Sequence, residues 1–82
     1  MLFRSSFVII MTQIPQGKEM VRKLSRLGFV LVRRTGSHHI MKHDALGEMV
    51  SVPVHAGREL KVGFFKHVLK QLQISEKEFW EI

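Results

Sequence analysis

The segment Gly36-Ser37-His38-His39 sets a histidine directly behind a glycine turn in a strongly basic chain. Histidine titrates near neutral pH when unperturbed, so one ring can both accept and donate a proton. A basic surface holds a polyanion over such a group. Two further segments follow, Val52-Pro53-Val54-His55 and Glu59-Leu60-Lys61. A turn that carries a histidine, a second histidine behind a proline, and a lysine where a helix is about to start together suggest acid–base chemistry on an anionic substrate. Metal chemistry has little support. His39 and His43 share a strand face, but four residues at ~3.3 Å each hold them ~13 Å apart. Asp44 is the only aspartate and the chain has no cysteine. Neither a metal nor another cofactor is expected.

The charge balance points the same way. Thirteen Lys and Arg face seven Asp and Glu, for a net charge of +6. Residues 1–74 hold twelve basic and four acidic side chains, and the excess of acid is confined to the last eight residues. A domain this basic is a candidate for binding nucleic acid. With 82 residues there is room for one domain. The absence of cysteine argues against a disulfide-stapled secreted protein. The longest apolar run, Phe7 to Met11, is too short to span a membrane. A cytoplasmic protein with no membrane partner is expected. Met11-Thr12-Gln13-Ile14-Pro15 reads as an ordinary start, so residues 1–10 read as an extension. The division adopted is 1–13 outside the core and 14–82 as the domain.

The elements that must position these residues are legible from periodicity. Met20, Leu24 and Leu27 predict a helix over 18–27, with Lys18, Arg22, Lys23 and Arg26 on its other face. Gly28 is a natural stop. Residues 29–34 read as a strand and Thr35-Gly36 as a turn. His38 to His43 reads as a second strand, with His38, Ile40 and Lys42 on one face and His39, Met41 and His43 on the other. Residues 44–47 form a hairpin loop, and 48–54 a third strand ending near Pro53. Residues 62–72 form a second helix, with a buried stripe of Phe65, Val68, Leu69 and Leu72. Ser75-Glu76-Lys77-Glu78 is a capping-box pattern opening a short last helix to Trp80. The fold class is therefore α+β, in the order α-β-β-β-α with a short helical tail. Three antiparallel strands turn one face to the helices. Double-stranded RNA-binding domains share this order and dock on A-form RNA by shape.

The residues Gly17-Lys18-Glu19, Gly28-Phe29-Val30, Arg33-Arg34-Thr35-Gly36-Ser37-His38, Val52-Pro53-Val54-His55, Glu59-Leu60-Lys61-Val62-Gly63 and Leu69-Lys70-Gln71, in that order and spacing, resemble the HicA (YcfA-like) toxin family. The resemblance covers residues 14–82. It implies a small bacterial mRNA interferase with the double-stranded RNA-binding fold. Such a protein cuts mRNA with a single histidine and is silenced by a HicB antitoxin. The family's histidine in Gly-Ser-His maps onto His38. Three positions depart from the family's habits. Gln16 stands where a Ser or Thr cap is common, Val62 where proline is frequent, and Gln73 where glycine is frequent.

Each candidate has an ordinary alternative. Spacing alone would make His38 a strand histidine with a satisfied hydrogen bond, and the resemblance reverses that preference. The resemblance makes His38 the general acid or base. Gly36 lets the backbone approach a substrate, and Ser37 can donate to a phosphate. Arg33, Arg34 and Lys42 flank the turn and are phosphate candidates. Lys61 sits where a helix start also favours phosphate. His55 divides evenly between lining this surface and holding its loop. His39 reads as structural or surface, and His43 and His67 as solvated. Phe64 and Phe65 read as core rather than stacking platforms. Trp80 reads as packing the tail down, with a partner anchor as the alternative. The alternative functions are a non-catalytic RNA-binding module on the same fold and a small domain that recruits an acidic protein.

Overall fold

The computed structural model describes residues 13–82. Apart from Gln13, the extension expected over 1–13 lies outside the described residues. Helix α1 runs Gly17–Arg26, strand β1 Val30–Thr35, β2 His38–His43 and β3 Glu48–Pro53. Helix α2 follows at Val62–Leu72 and α3 at Glu76–Glu81. The strands form an antiparallel sheet in the order β1-β2-β3. This is the α+β, double-stranded RNA-binding-domain-like arrangement that the order of elements predicts. No helix of the described residues is long and apolar enough to cross a membrane.

The core forms where the helical and strand periodicities meet. Met20 and Leu24 of α1 and Phe65, Val68 and Leu69 of α2 are buried. They pack with Met41 of β2, Val50 and Val52 of β3, and Phe29, Leu60 and Phe79. The pairings Met41↔Val50 and His39↔Val52 put these residues on one sheet face. The opposite face carries His38, Ile40 and Lys42 and their partners Pro53, Ser51 and Met49. Both helices therefore cover the face away from His38, which is left open to solvent.

Two packing details set the position of the His38 end of the sheet. Gly17 is buried at the start of α1, against the end of β3. A Cβ there would collide with the Pro53 carbonyl oxygen and lie 2.9 Å from Val54 Cα. The segment before α1 is tied to the loop before α2, because the Leu60 N–H donates to the Pro15 carbonyl at 2.9 Å. Gln16 bridges Glu59 in the same stretch.

Helix ends account for most differences from the expected boundaries. Leu27, expected in the buried stripe, is the C-cap residue of α1 and is 37% exposed, because Gly28 at φ 102° turns the chain away there. Phe29 then enters the core ahead of β1 instead of opening it. His43 is not merely solvated. It is half-buried, with its ring edge-on to Phe29 at 5.3 Å, and its Nδ1 accepts the Leu46 N–H at 3.2 Å. The capping box forms as read: the Glu78 N–H donates to Ser75 Oγ at 3.0 Å and the Ser75 N–H to Glu78 Oε1 at 2.7 Å. Trp80 packs edge-on to Phe79 at 5.1 Å and holds the tail against the body.

Gln73 caps α2 in the left-handed conformation, at φ 58° and ψ 41°. A side chain there costs ~1 kcal/mol or more that glycine avoids. Gln73→Gly is therefore expected to stabilise the fold by about 0.5–1 kcal/mol, after the entropy lost by a more flexible unfolded chain. Thermal melting of the two proteins checks this.

Candidate active site

His38 opens β2 and pairs with Thr35 on one side and Pro53 on the other. Only Gly36 and Ser37 link Thr35 to His38, so this is a tight hairpin. Gly36 takes φ 59°, a glycine requirement at the first centre of such a turn. Nothing stands within 4 Å of where its Cβ would be, so the turn is open to a substrate backbone. His38 itself is exposed.

The second histidine comes to the same place. Val54 N–H donates to the Ser37 carbonyl at 2.7 Å, which extends the ladder one step past β3. His55 follows, and its Nε2 lies 3.4 Å from Ser37 Oγ. Ser37 is half-buried and His55 exposed. The hairpin turn and the loop after β3 are thus joined by one side-chain hydrogen bond beside His38.

The cations separate into engaged and available groups. On α1, Lys23 Nζ and Arg26 Nη1 donate to the Ile82 carbonyl at 3.0 and 3.2 Å. Lys23 also stands 5.5 Å from the ring centroids of Phe79 and Trp80. Arg22 lies 3.9 Å from Glu19. These residues serve the tail and the helix surface. Arg33, Arg34 and Lys61 are exposed and form no ion pair among the described residues.

Of the candidate phosphate binders, the structure brings some together and disperses others. A bulge between Leu31 and Arg33 resets the register of β1. Leu31 pairs with Met41 of the core face, whereas Arg33 pairs with Ile40 of the open face. Arg33 therefore shares the His38 face. In a regular ladder with no bulge, Val32 would pair with Ile40 and Arg33 with His39 on the helix side; bulges re-aim side chains in this way. Arg34 pairs with His39 on the opposite face. Lys42 shares the His38 face but lies at the far end of β2, about 13 Å along the strand. It pairs there with Asp44 at 3.5 Å. Lys61 is the N-cap residue of α2, whose first turn has no side-chain cap.

A cavity of about 360 Å³ lies between β3 and the start of α2. Pro53, His55, Arg58, Glu59, Leu60, Lys61 and Phe64 line it. Pro53 is His38's strand partner and His55 is bonded to Ser37, so the cavity adjoins the turn. Sequence reading missed Arg58 and read Phe64 as core; Phe64 does pack against the core cluster, while also lining the cavity. Phe64 is only half-buried. The signal was present in the i, i+3 spacing from Lys61 to Phe64, which sets both on one helix face.

No curated protein matches the chain in sequence. The family model for the HicA toxin of bacterial toxin–antitoxin systems matches residues 17–74, from the first residue of α1 to just past the end of α2. That match takes in α1, α2, all three strands and the His38 turn, and the chain belongs to the HicA toxin family of bacterial toxin–antitoxin proteins.

Proposed function

We propose that this protein is an endoribonuclease toxin that cuts mRNA by acid–base catalysis at His38. The observation that carries the reading is the exposed His38 beside an open glycine turn, on a sheet face left bare by both helices. In the reaction the substrate's 2′-oxygen attacks phosphorus as its proton leaves to a base. The bond from phosphorus to the 5′-oxygen breaks as that oxygen takes up a proton. The products are a 2′,3′-cyclic phosphate and a 5′-hydroxyl. His38 assists one of the proton transfers. Arg33 on the same face stabilises charge on the phosphoryl oxygens, as does Lys61 at the start of α2. Ser37 and His55 position the phosphate beside Gly36. Arg34, on the opposite face, and Lys42, at the far end of β2, serve flanking phosphates.

The working domain in this reading is residues 14–82, acting in the cytoplasm. The partner that silences it is a HicB-like antitoxin with an acidic surface that covers His38 and its cations. The test is analysis of fragment ends after incubation of purified protein with labelled RNA. Cyclic phosphate and 5′-hydroxyl ends support the mechanism, and 5′-phosphate ends exclude it.

The cations give a second expected outcome. Each phosphate neutralised contributes ~0.7 to the log–log dependence of single-strand binding on salt. Arg33→Ala and Lys61→Ala are each expected to lower that slope by about this amount. Lys23→Ala, whose ammonium already serves the tail, should leave it unchanged. Fluorescence anisotropy over a salt series measures all three.

A further inference from the structure

We infer that the cavity between β3 and α2 is a nucleobase subsite, and that it holds one unpaired base next to the phosphate at His38. The inference rests on the RNA reading above and adds the form of RNA that fits. At about 360 Å³ the cavity falls in the ~300–1,000 Å³ range of small-ligand pockets. Its apolar surface comes from Pro53, Leu60 and Phe64. Leu60 is buried, while Pro53 and Phe64 are half-buried and keep part of their surface toward solvent.

A phosphate is a poor occupant of such a space. Arg58 and Lys61 would attract it, but it would lose hydration against apolar carbon and meet the Glu59 carboxylate, so the space favours a group with apolar faces. A base is neutral and flat, with apolar faces and a polar edge. It stacks on Phe64 or Pro53 and offers its N–H groups to Glu59. Meanwhile its own phosphates lie outside, within reach of Arg58 and Lys61. Aromatic side chains serve unpaired RNA bases in this way. A base inside an A-form duplex is stacked on both faces and cannot enter. The fold class docks on duplexes by shape, but this cavity selects a single strand at the point of cutting.

The experiment uses the full chain carrying His38→Ala, so that RNA is not consumed. The probe is an abasic ribose-phosphate strand bearing a single 2-aminopurine, compared with the wholly abasic strand. The expected result is quenching of 2-aminopurine fluorescence on binding, with affinity roughly tenfold higher than for the abasic strand. Phe64→Leu keeps apolar packing but removes the ring. It should abolish the preference while binding the abasic strand as before. Equal affinity for both strands, with no quenching, overturns the subsite without requiring any variant to fold. The two readings fail separately. RNA cutting by the native chain without base preference removes the subsite alone. Base preference without cutting removes the catalytic reading and leaves the subsite.

Discussion

His38→Ala is expected to slow RNA cleavage by about 10²–10⁴-fold, the range associated with a positioned acid or base. Binding should change little, because His38 is exposed and belongs to none of the core contacts. The fold should survive for the same reason. Truncation leaves no cavity and no unpaired buried group, and surface changes of this kind usually move stability by less than ~0.5 kcal/mol. The separation is diagnostic. Single-turnover rates with saturating RNA report the chemical step, and anisotropy reports affinity. A loss of rate with affinity intact assigns His38 to catalysis. Equal losses in both would make it a binding residue, as the alternative of a non-catalytic RNA-binding module requires.

Gly17→Ala is expected to have the largest effect on stability. Its new methyl would collide with the Pro53 carbonyl oxygen, and its nearest obstacles, that oxygen and Val54 Cα, are backbone atoms that cannot rotate aside. Either α1 lifts off the end of β3 or β3 moves. Overpacking of this kind costs about 3 kcal/mol or more when the backbone must shift. For a domain this small that corresponds to a fall of roughly 10–20 °C in Tm. The displaced segment is the one that leads into Val54 and His55, so cleavage should fall even below the melting transition. A melting curve by circular dichroism and a cleavage assay at low temperature measure the two effects. A variant with unchanged Tm would show that α1 does not pack as described.

Much of this arrangement is legible from residue order because it depends on local pattern. The alternation in His38 to His43 assigns the two faces of β2, and the register agrees residue by residue. The apolar spacing in 62–72 gives α2 with its buried Phe65, Val68 and Leu69, Leu72 at its end being half-buried, and Ser75 with Glu78 gives the start of α3. The illegible parts depend on contacts between distant segments. Arg33 and Arg34 are adjacent, so a strand must split them between faces. Which one joins His38 is decided by the bulge at Val32, a property of pairing with β2 rather than of β1 alone. Lys23 and Arg26 look like free cations on a polar helix face. They are engaged by Ile82, more than fifty residues away in sequence. Phe64 looks like the neighbour of a core residue in an apolar run. Its place on the cavity wall depends on how the loop at Leu60 is stitched to Pro15. Gly17 looks like a weak helix start, and the reason for glycine there is the approach of β3.

The most direct test of the central claim is RNA integrity after incubation with the purified chain in EDTA, with wild type and His38→Ala side by side and the antitoxin absent. The expected result is cleavage by wild type and intact RNA with the variant. Intact RNA in both tubes, together with tight and salt-sensitive binding, would contradict the enzyme reading and leave an RNA-binding module.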